Sequence, residues 1–219
     1  MVQVIIDDWG RIDYETAWER QRQLFHELID DTAHDEHIIM CEHDPVFTVG
    51  FHGNAGNMLA DEKTLSRASA KLIRIERGGD ITFHGPGQLV VYPIIDLRRH
   101  HLGVRQYVEL LESVVRDTLE HYGIATTSNN EQIGVWLDWN TPRARKICAI
   151  GVKVSHGVTM HGLALNVNTD LQWFGMINPC GITDKGVTSM SRELNREISL
   201  CEVGQHLVSL LAARLHTDA

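Results

Sequence analysis

Cysteine is scarce: four residues in 219, at positions 41, 148, 180 and 201, with no two in Cys-x-x-Cys spacing. That excludes a disulfide scaffold, which packs more cysteines into a shorter chain. No apolar run approaches the roughly 18 residues that a membrane-spanning helix needs. The first residues, Met-Val-Gln-Val-Ile-Ile-Asp-Asp, lack the basic-then-apolar order of a secretory leader. No long basic run occurs and the net charge is −9, which argues against general nucleic-acid binding. HExxH, a P-loop and a well-placed GxGxxG are also missing. Thirteen histidines are many, but the closest groupings, His34/His37 and His100/His101, match no metal-ligand spacing. The expectation is a cytoplasmic protein with reduced thiols and no metal, membrane or nucleic-acid partner.

What is present is acid, unevenly placed. Residues 1–66 hold four cations against fourteen carboxylates, whereas the rest of the chain is almost balanced. Residues 139–169 contain no acid at all but carry Arg143, Arg145, Lys146 and Lys153. Arg98, Arg99 and Arg105 form a second cationic group.

Periodicity predicts strands at 2–6, 37–41, 46–49, 71–76, 88–95, 134–137, 146–154 and 159–167. Helices are predicted at 13–30, 104–122 and about 200–215, the last opened by a Ser199/Glu202 capping box. Residues 78–87, crowded with glycine, read as a turn-rich loop. No repeat or linker divides the chain, and no regular βαβ alternation appears. The expected fold is therefore α+β, one domain over 1–219, with a mixed or antiparallel sheet flanked by helices.

Three segments suggest chemistry. In Arg77-Gly78-Gly79-Asp80-Ile81-Thr82-Phe83-His84-Gly85-Pro86-Gly87-Gln88, paired glycines allow close backbone approach to a ligand. Arg77 suits an anionic group, and His84 an acid–base or donor role. The bland reading is a surface turn with a satisfied histidine. In Asn178-Pro179-Cys180-Gly181, a cysteine between proline and glycine lies where a nucleophile can be presented; the alternative is a small buried thiol. Cys41, Cys148 and Cys201 sit in apolar patterns and read as core. In Lys146-Ile147-Cys148-Ala149-Ile150-Gly151-Val152-Lys153, the two lysines are seven apart, so a regular strand aims them to opposite faces. Lys146 then shares the bulkier apolar face with Cys148, Ile150 and Val152. Desolvation there makes it a plausible proton carrier; the alternative is a lysine that snorkels to water.

Together the segments resemble the lipoyl(octanoyl) transferase family, the octanoyl-[acyl-carrier-protein]–protein N-octanoyltransferases. The match runs through Arg77-Gly78-Gly79, Thr82-Phe83-His84, Gly87-Gln88 and Tyr92. It continues in Glu42-His43-Asp44-Pro45, in Lys146-Ile147-Cys148-Ala149-Ile150-Gly151, in His161-Gly162-Leu163-Ala164-Leu165-Asn166 and in Asn178-Pro179-Cys180-Gly181. It spans about residues 40–190; the loop 138–145 looks longer than the family needs.

The resemblance implies a fold similar to the catalytic core of biotin and lipoate protein ligases. It implies that Cys180 accepts the acyl group and that Lys146 lowers the thiol's pKa and moves protons. Arg77, Gly78, Gly79, Asp80, Ile81, Thr82, Phe83, His84, Ala149, Ile150, Gly151, Gly162, Leu163 and Ala164 would line the substrate pocket. No cofactor is implied, because the acyl group arrives on the phosphopantetheine of acyl carrier protein. The acceptors would be lipoyl domains of 2-oxoacid dehydrogenase E2 subunits and the glycine cleavage H protein. The alternatives are an ATP-dependent lipoate-protein ligase, a cysteine thioesterase using His84 or His161 as base, and a non-catalytic carrier-binding protein. The acid-free stretch and the second arginine group are expected to face an acidic carrier protein.

Overall fold

A computed structural model describes residues 3–32, 34–129, 131–178 and 185–217. The main sheet runs β1 (Val4–Ile12), β2 (Glu36–His43), β6 (Gln88–Ile94), β9 (Val158–Asn166), β8 (Arg145–Ser155) and β10 (Gly186–Val187), with β7 (Val135–Leu137) also paired to β8. β1–β2 and β8–β10 are parallel; the other pairs are antiparallel. A second sheet orders β4 (Lys71–Arg74), β3 (Val46–Val49) and β5 (Ile81–His84). The mixed α+β expectation holds.

Helices α3 (Val104–His121) and α5 (Leu200–Thr217) cover one face of the main sheet. Each has an apolar stripe at helical spacing: Tyr107, Leu111, Val114, Val115 and Leu119 on α3, Val203, Leu207 and Leu211 on α5. These meet Leu89, Val91, Leu163 and Leu165 from alternate strand positions. Burying one such side chain stabilises the fold by about 1.5–3 kcal/mol, and Leu111→Ala would cost about 2–5 kcal/mol. α1 (Tyr14–Ile29) covers the other face, where Phe25 and Leu28 meet Ile39, Val90 and Met160. Asp13 caps α1 by accepting from Glu15 N at 3.1 Å and Thr16 N at 3.2 Å. Ser199 Oγ accepts from Glu202 N at 3.3 Å, the backbone half of the predicted capping box.

Two expectations need correction. The segment 78–87 is not all loop, because Ile81–His84 is β5, paired with β3 from Val49↔Ile81 to Val46↔His84. Its flanking glycines hide a four-residue alternation. Short elements also went unread: α2 (Glu62–Arg67), β10 and α4 (Met190–Leu194). They are too short to show a period. No helix among the described residues is long and apolar enough to cross a membrane.

Candidate active site

A cavity of about 440 Å³ opens between the main sheet and the loop that leads into β5. Its floor follows from strand register. Ala149 lies opposite Ala164, and Gly151 opposite Gly162, on β8 and β9. Directly opposed residues share a face, so four small residues coincide and leave space above the sheet. The space cannot be refilled cheaply. A Cβ on Gly162 would lie 2.2 Å from Val91 O, and one on Gly151 would lie 2.9 Å from Gly78 O.

The facing wall is the Arg77–Gln88 segment, held by its own polar side chains. The Arg77 guanidinium donates to Thr48 O (2.7 Å), Asp80 O (2.7 Å), Gly78 O (2.9 Å) and Thr48 Oγ1 (2.9 Å). Gly78 N donates to Val152 O at 2.9 Å and docks the loop on the edge of β8. Asp80 accepts from Asn54 N at 2.9 Å and from the Asn57 side-chain amide. Asn178 N in turn donates to Asn57 O at 2.8 Å. Arg77 and Asp80 line the cavity and also brace the loop.

His84 is likewise committed to the protein. Its Nδ1–H donates to Gln88 Oε1 at 2.9 Å, and Nε2 lies 3.3 Å from Thr48 Oγ1. Burial, with help from His43 and Arg77, holds its pKa well below the usual histidine range. The ring is held neutral and fixed in place. Gln88 passes the network on: Nε2 donates to Asn166 Oδ1 at 2.9 Å, and Asn166 Nδ2 donates to Thr188 O at 3.0 Å. Thr188 N then reaches Lys146 O at 2.9 Å. A polarised amide chain thus joins the small sheet to the strand that carries Lys146.

Lys146 lines the cavity, and the reason corrects the strand-face argument. Val135 pairs with Cys148 but Trp136 pairs with Lys146, so Ile147 is an extra residue, a β-bulge. Ile147 and Cys148 both turn into the α3/α5 core. Lys146 is thereby shifted to the face of Ala149 and Gly151, with Nζ 4.6 Å from the Trp136 ring centroid. Lys153, on the same face, pairs with Glu76 at 3.3 Å. Burial pushes the thiols of Cys41 and Cys148 up, in line with core roles.

Of the other candidates, Gly78, Gly79, Ile81, Thr82, His84, Ile150, Gly162, Leu163 and Ala164 line the cavity. Phe83 does not: it stacks on Trp173 at 5.0 Å and packs against Phe47 in the core of the small sheet. Cys180 lies outside the described residues. Phe174, ahead of that segment, and Val187, after it, line the cavity, and Val187 pairs with Lys146. Sequence reasoning missed Tyr14 as a lining residue and did not count Gln88, Tyr92, Asn166 or His161 among the pocket residues, although each belongs to a quoted motif. Among the described residues no group of three or more side chains could hold a metal ion.

The cationic stretch is largely neutralised. Arg145 bonds Glu193 Oε2 and Asp138 Oδ2, both at 2.6 Å. Arg98 and Arg99 pair with Asp96, and Arg105 with Glu109. A stretch without acids in sequence is not a surface without them.

The lipoyl protein ligase A/B catalytic domain family matches residues 13–212. An octanoyltransferase of Bacteroides thetaiotaomicron is 51% identical over 210 residues, covering 94% of this chain and 92% of the relative. One of Flavobacterium johnsoniae is 45% identical over 202 residues, covering 88% and 87%. Among solved structures, the bi-partite lipoate protein ligase of Thermoplasma acidophilum superposes with TM-score 0.71 at 17% identity, covering 99% of this chain and 85% of that one. Biotin protein ligase of Aquifex aeolicus gives 0.55 at 12% identity, covering 99% and 72%. A cavity floored by register-matched small residues, bounded by Lys146 and braced by the Arg77 loop, is thus built on the lipoate- and biotin-ligase fold, and the chain belongs to the lipoyl protein ligase A/B catalytic domain family, among its octanoyltransferases.

Proposed function

We propose that this enzyme transfers an octanoyl group from a carrier-protein thioester to a lysine of a lipoyl domain, through an acyl intermediate on Cys180. The observation that supports this reading is the apolar-floored cavity with Lys146 at one end, lined also by Phe174 and by Val187, which precede and follow the segment that holds Cys180. A free thiol titrates near pH 8.5, so little of it is thiolate at neutral pH. A lysine ammonium beside it favours the thiolate. The thiolate attacks the thioester carbonyl, the C–S bond to pantetheine breaks, and the departing thiolate takes a proton from Lys146. Neutral Lys146 then accepts the proton that the target amine loses as it attacks acyl-Cys180, and the free Cys180 thiolate is regenerated. The product amide is more stable than either thioester, which draws the sequence forward. No cofactor enters this scheme.

The lipoate-ligase likeness of the fold supports a second reading, in which free acid is activated by ATP. Intact-mass measurement separates the two. Enzyme mixed with octanoyl carrier protein alone is expected to gain one octanoyl group. The adduct is expected to disappear in Cys180→Ser, to persist in Cys148→Ser, and to form at least tenfold more slowly in Lys146→Ala. Modification of a lipoyl domain only when ATP and free octanoate are supplied would overturn the transferase reading.

A further inference from the structure

Two tryptophans stand behind Lys146 with no part in the steps above. Trp136 pairs directly with Lys146 across β7 and β8, so the two side chains leave the same face of the sheet. Its neighbours Val135 and Leu137 turn the other way, into the α3/α5 core. Trp136 is 2% exposed and does not line the cavity; Lys146, whose Nζ lies 4.6 Å from its ring centroid, does. The indole N–H of Trp136 has no hydrogen-bond partner among the described residues. A stranded donor costs stability, so this side chain is not there for a hydrogen bond. What it offers is a ring face, and the indole face draws a cation more strongly than that of Phe or Tyr.

The lysine is held from stem to head. Gly134 has φ 113°, and a Cβ there would lie 2.6 Å from Cys148 O and 3.5 Å from Lys146 Cε, so the glycine backbone closes over the stem. Gly134 N donates to Glu112 Oε1 at 2.9 Å, which ties this closure to α3. The ring that receives the head is itself fixed. Trp139, 6% exposed, meets Trp136 at 4.8 Å between centroids and 66° between planes. Trp139 comes from the 138–145 loop, whose ends are joined by Asp138 and Arg145 at 2.6 Å. Lys185 Nζ lies 4.4 Å from the Trp139 centroid, so each of two indoles in edge contact carries a lysine. The titratable and charged groups around Lys146 are Glu112 on α3 with Glu109 and Arg116 beside it, the buried Cys148 thiol, Glu131 of the cavity lining and Arg77 on the facing wall.

We propose that Trp136, set by Trp139 from the 138–145 loop, is a positioning residue that holds the Lys146 ammonium at the cavity and favours its charged form. This rests on the transferase reading above, in which that ammonium favours the thiolate and then protonates the departing one. An aromatic face attracts the ammonium and not the neutral amine. The contact therefore favours the charged form about twofold where exposed and about thirtyfold where desolvated. Losing it moves the titration of the amine down by about 0.4–1.5 pH units. The 138–145 loop, none of whose residues lines the cavity, thus acts on the site through two rings.

The test follows the rate of octanoyl adduct formation by intact mass from about pH 6 to 10. It compares the unaltered enzyme with Trp136→Leu, Trp136→Phe and Trp139→Leu. The rate is expected to fall at high pH as the ammonium is lost. Trp136→Leu is expected to move that fall at least about 0.5 pH unit lower, and Trp136→Phe, which keeps an aromatic face, less than half as far. Trp139→Leu is expected to move it in the same direction by less than Trp136→Leu. Lost packing alone changes the rate without moving the titration. An unmoved fall in either leucine variant, or an equal shift in Trp136→Phe, would therefore overturn the proposal. Should the leucine variants fail to fold, enzyme made with fluorinated tryptophan decides, because fluorine drains the ring face and nearly keeps its shape. Its fall is also expected to move lower; an unmoved one refutes the proposal. That result sinks this inference alone, whereas no adduct on the unaltered enzyme at any pH sinks the transferase reading with it.

Discussion

The two long walls of the cavity are built by opposite means. The Arg77–Gln88 wall is crowded with polar side chains that bond one another: Arg77 to three backbone carbonyls, His84 to Gln88, Asp80 to the 54–57 turn. The β8–β9 wall is defined by what it lacks, two glycines and two alanines aligned by register. One wall is rigid because its bonds are satisfied; the other is spacious because side chains are missing. Polar residues at a pocket therefore need not address its ligand.

The comparison is most sharply broken at Arg77. Replacement by leucine takes the guanidinium from the Thr48 and Gly78 carbonyls, each costing about 1–3 kcal/mol when left unpaired, while Asp80 O keeps the Gly50 N–H at 3.2 Å. Arg77→Leu should lose at least about 2 kcal/mol in denaturant unfolding; a loss near zero would show the bonds to be dispensable. Filling the other wall should instead harm function more than stability. Gly151→Val would press on Gly78 O and on Arg77 Cδ at 3.1 Å. A displacement of about 1 Å at a reacting group can cost a hundredfold in rate, so kcat/KM for octanoyl transfer should fall by about that factor, with a smaller change in Tm than in Arg77→Leu.

Buried histidines give the next largest effect. Burial first of all holds His43, His84 and His161 below the ordinary value. Below about pH 6.5 the unfolded chain takes up protons that these folded rings refuse. Stability is thus full above pH 6.5 and falls as the pH drops, by up to about 1.4 kcal/mol per pH unit for each histidine. Tm measured from pH 7.5 to 5 should decline, and His161→Gln should flatten the decline; a parallel curve would show that His161 does not contribute. The smallest effect belongs to the surface. Arg143 is 81% exposed and 3.9 Å from Asp138. Arg143→Glu should leave Tm nearly unchanged and raise the KM for an acidic carrier protein by a fewfold. The same change at Arg145 would also break its pairs to Glu193 and Asp138, so it tests packing instead of steering.

Much of this was readable from the residues. The long helices and most strands declared themselves by period, and the Arg77, Lys146 and His161 segments line one cavity, while Cys180 lies outside the described residues. Phe83 failed as a pocket residue because β5 alternates: Thr82 and His84 face one way and Phe83 the other, into an aromatic core. Lys146 reached the cavity for a reason opposite to the one inferred, since a regular strand was assumed where a bulge occurs. His161 could not be singled out, because neither its left-handed backbone nor a ring without a hydrogen-bond partner among the described residues is written in neighbouring residue types.

The bulge at Ile147 makes spacing itself a heritable constraint. Two side chains on a strand keep their relation when residues are gained or lost in pairs, and exchange faces when the change is single. Deleting Ile147 would restore regular alternation and keep the lysine on the cavity face, whereas retaining Ile147 in a strand without the bulge would turn the lysine inward beneath α3 and leave every residue of the motif present but out of phase. In related chains, the interval between this lysine and the Ala-Ile-Gly triplet carries information that residue identity does not.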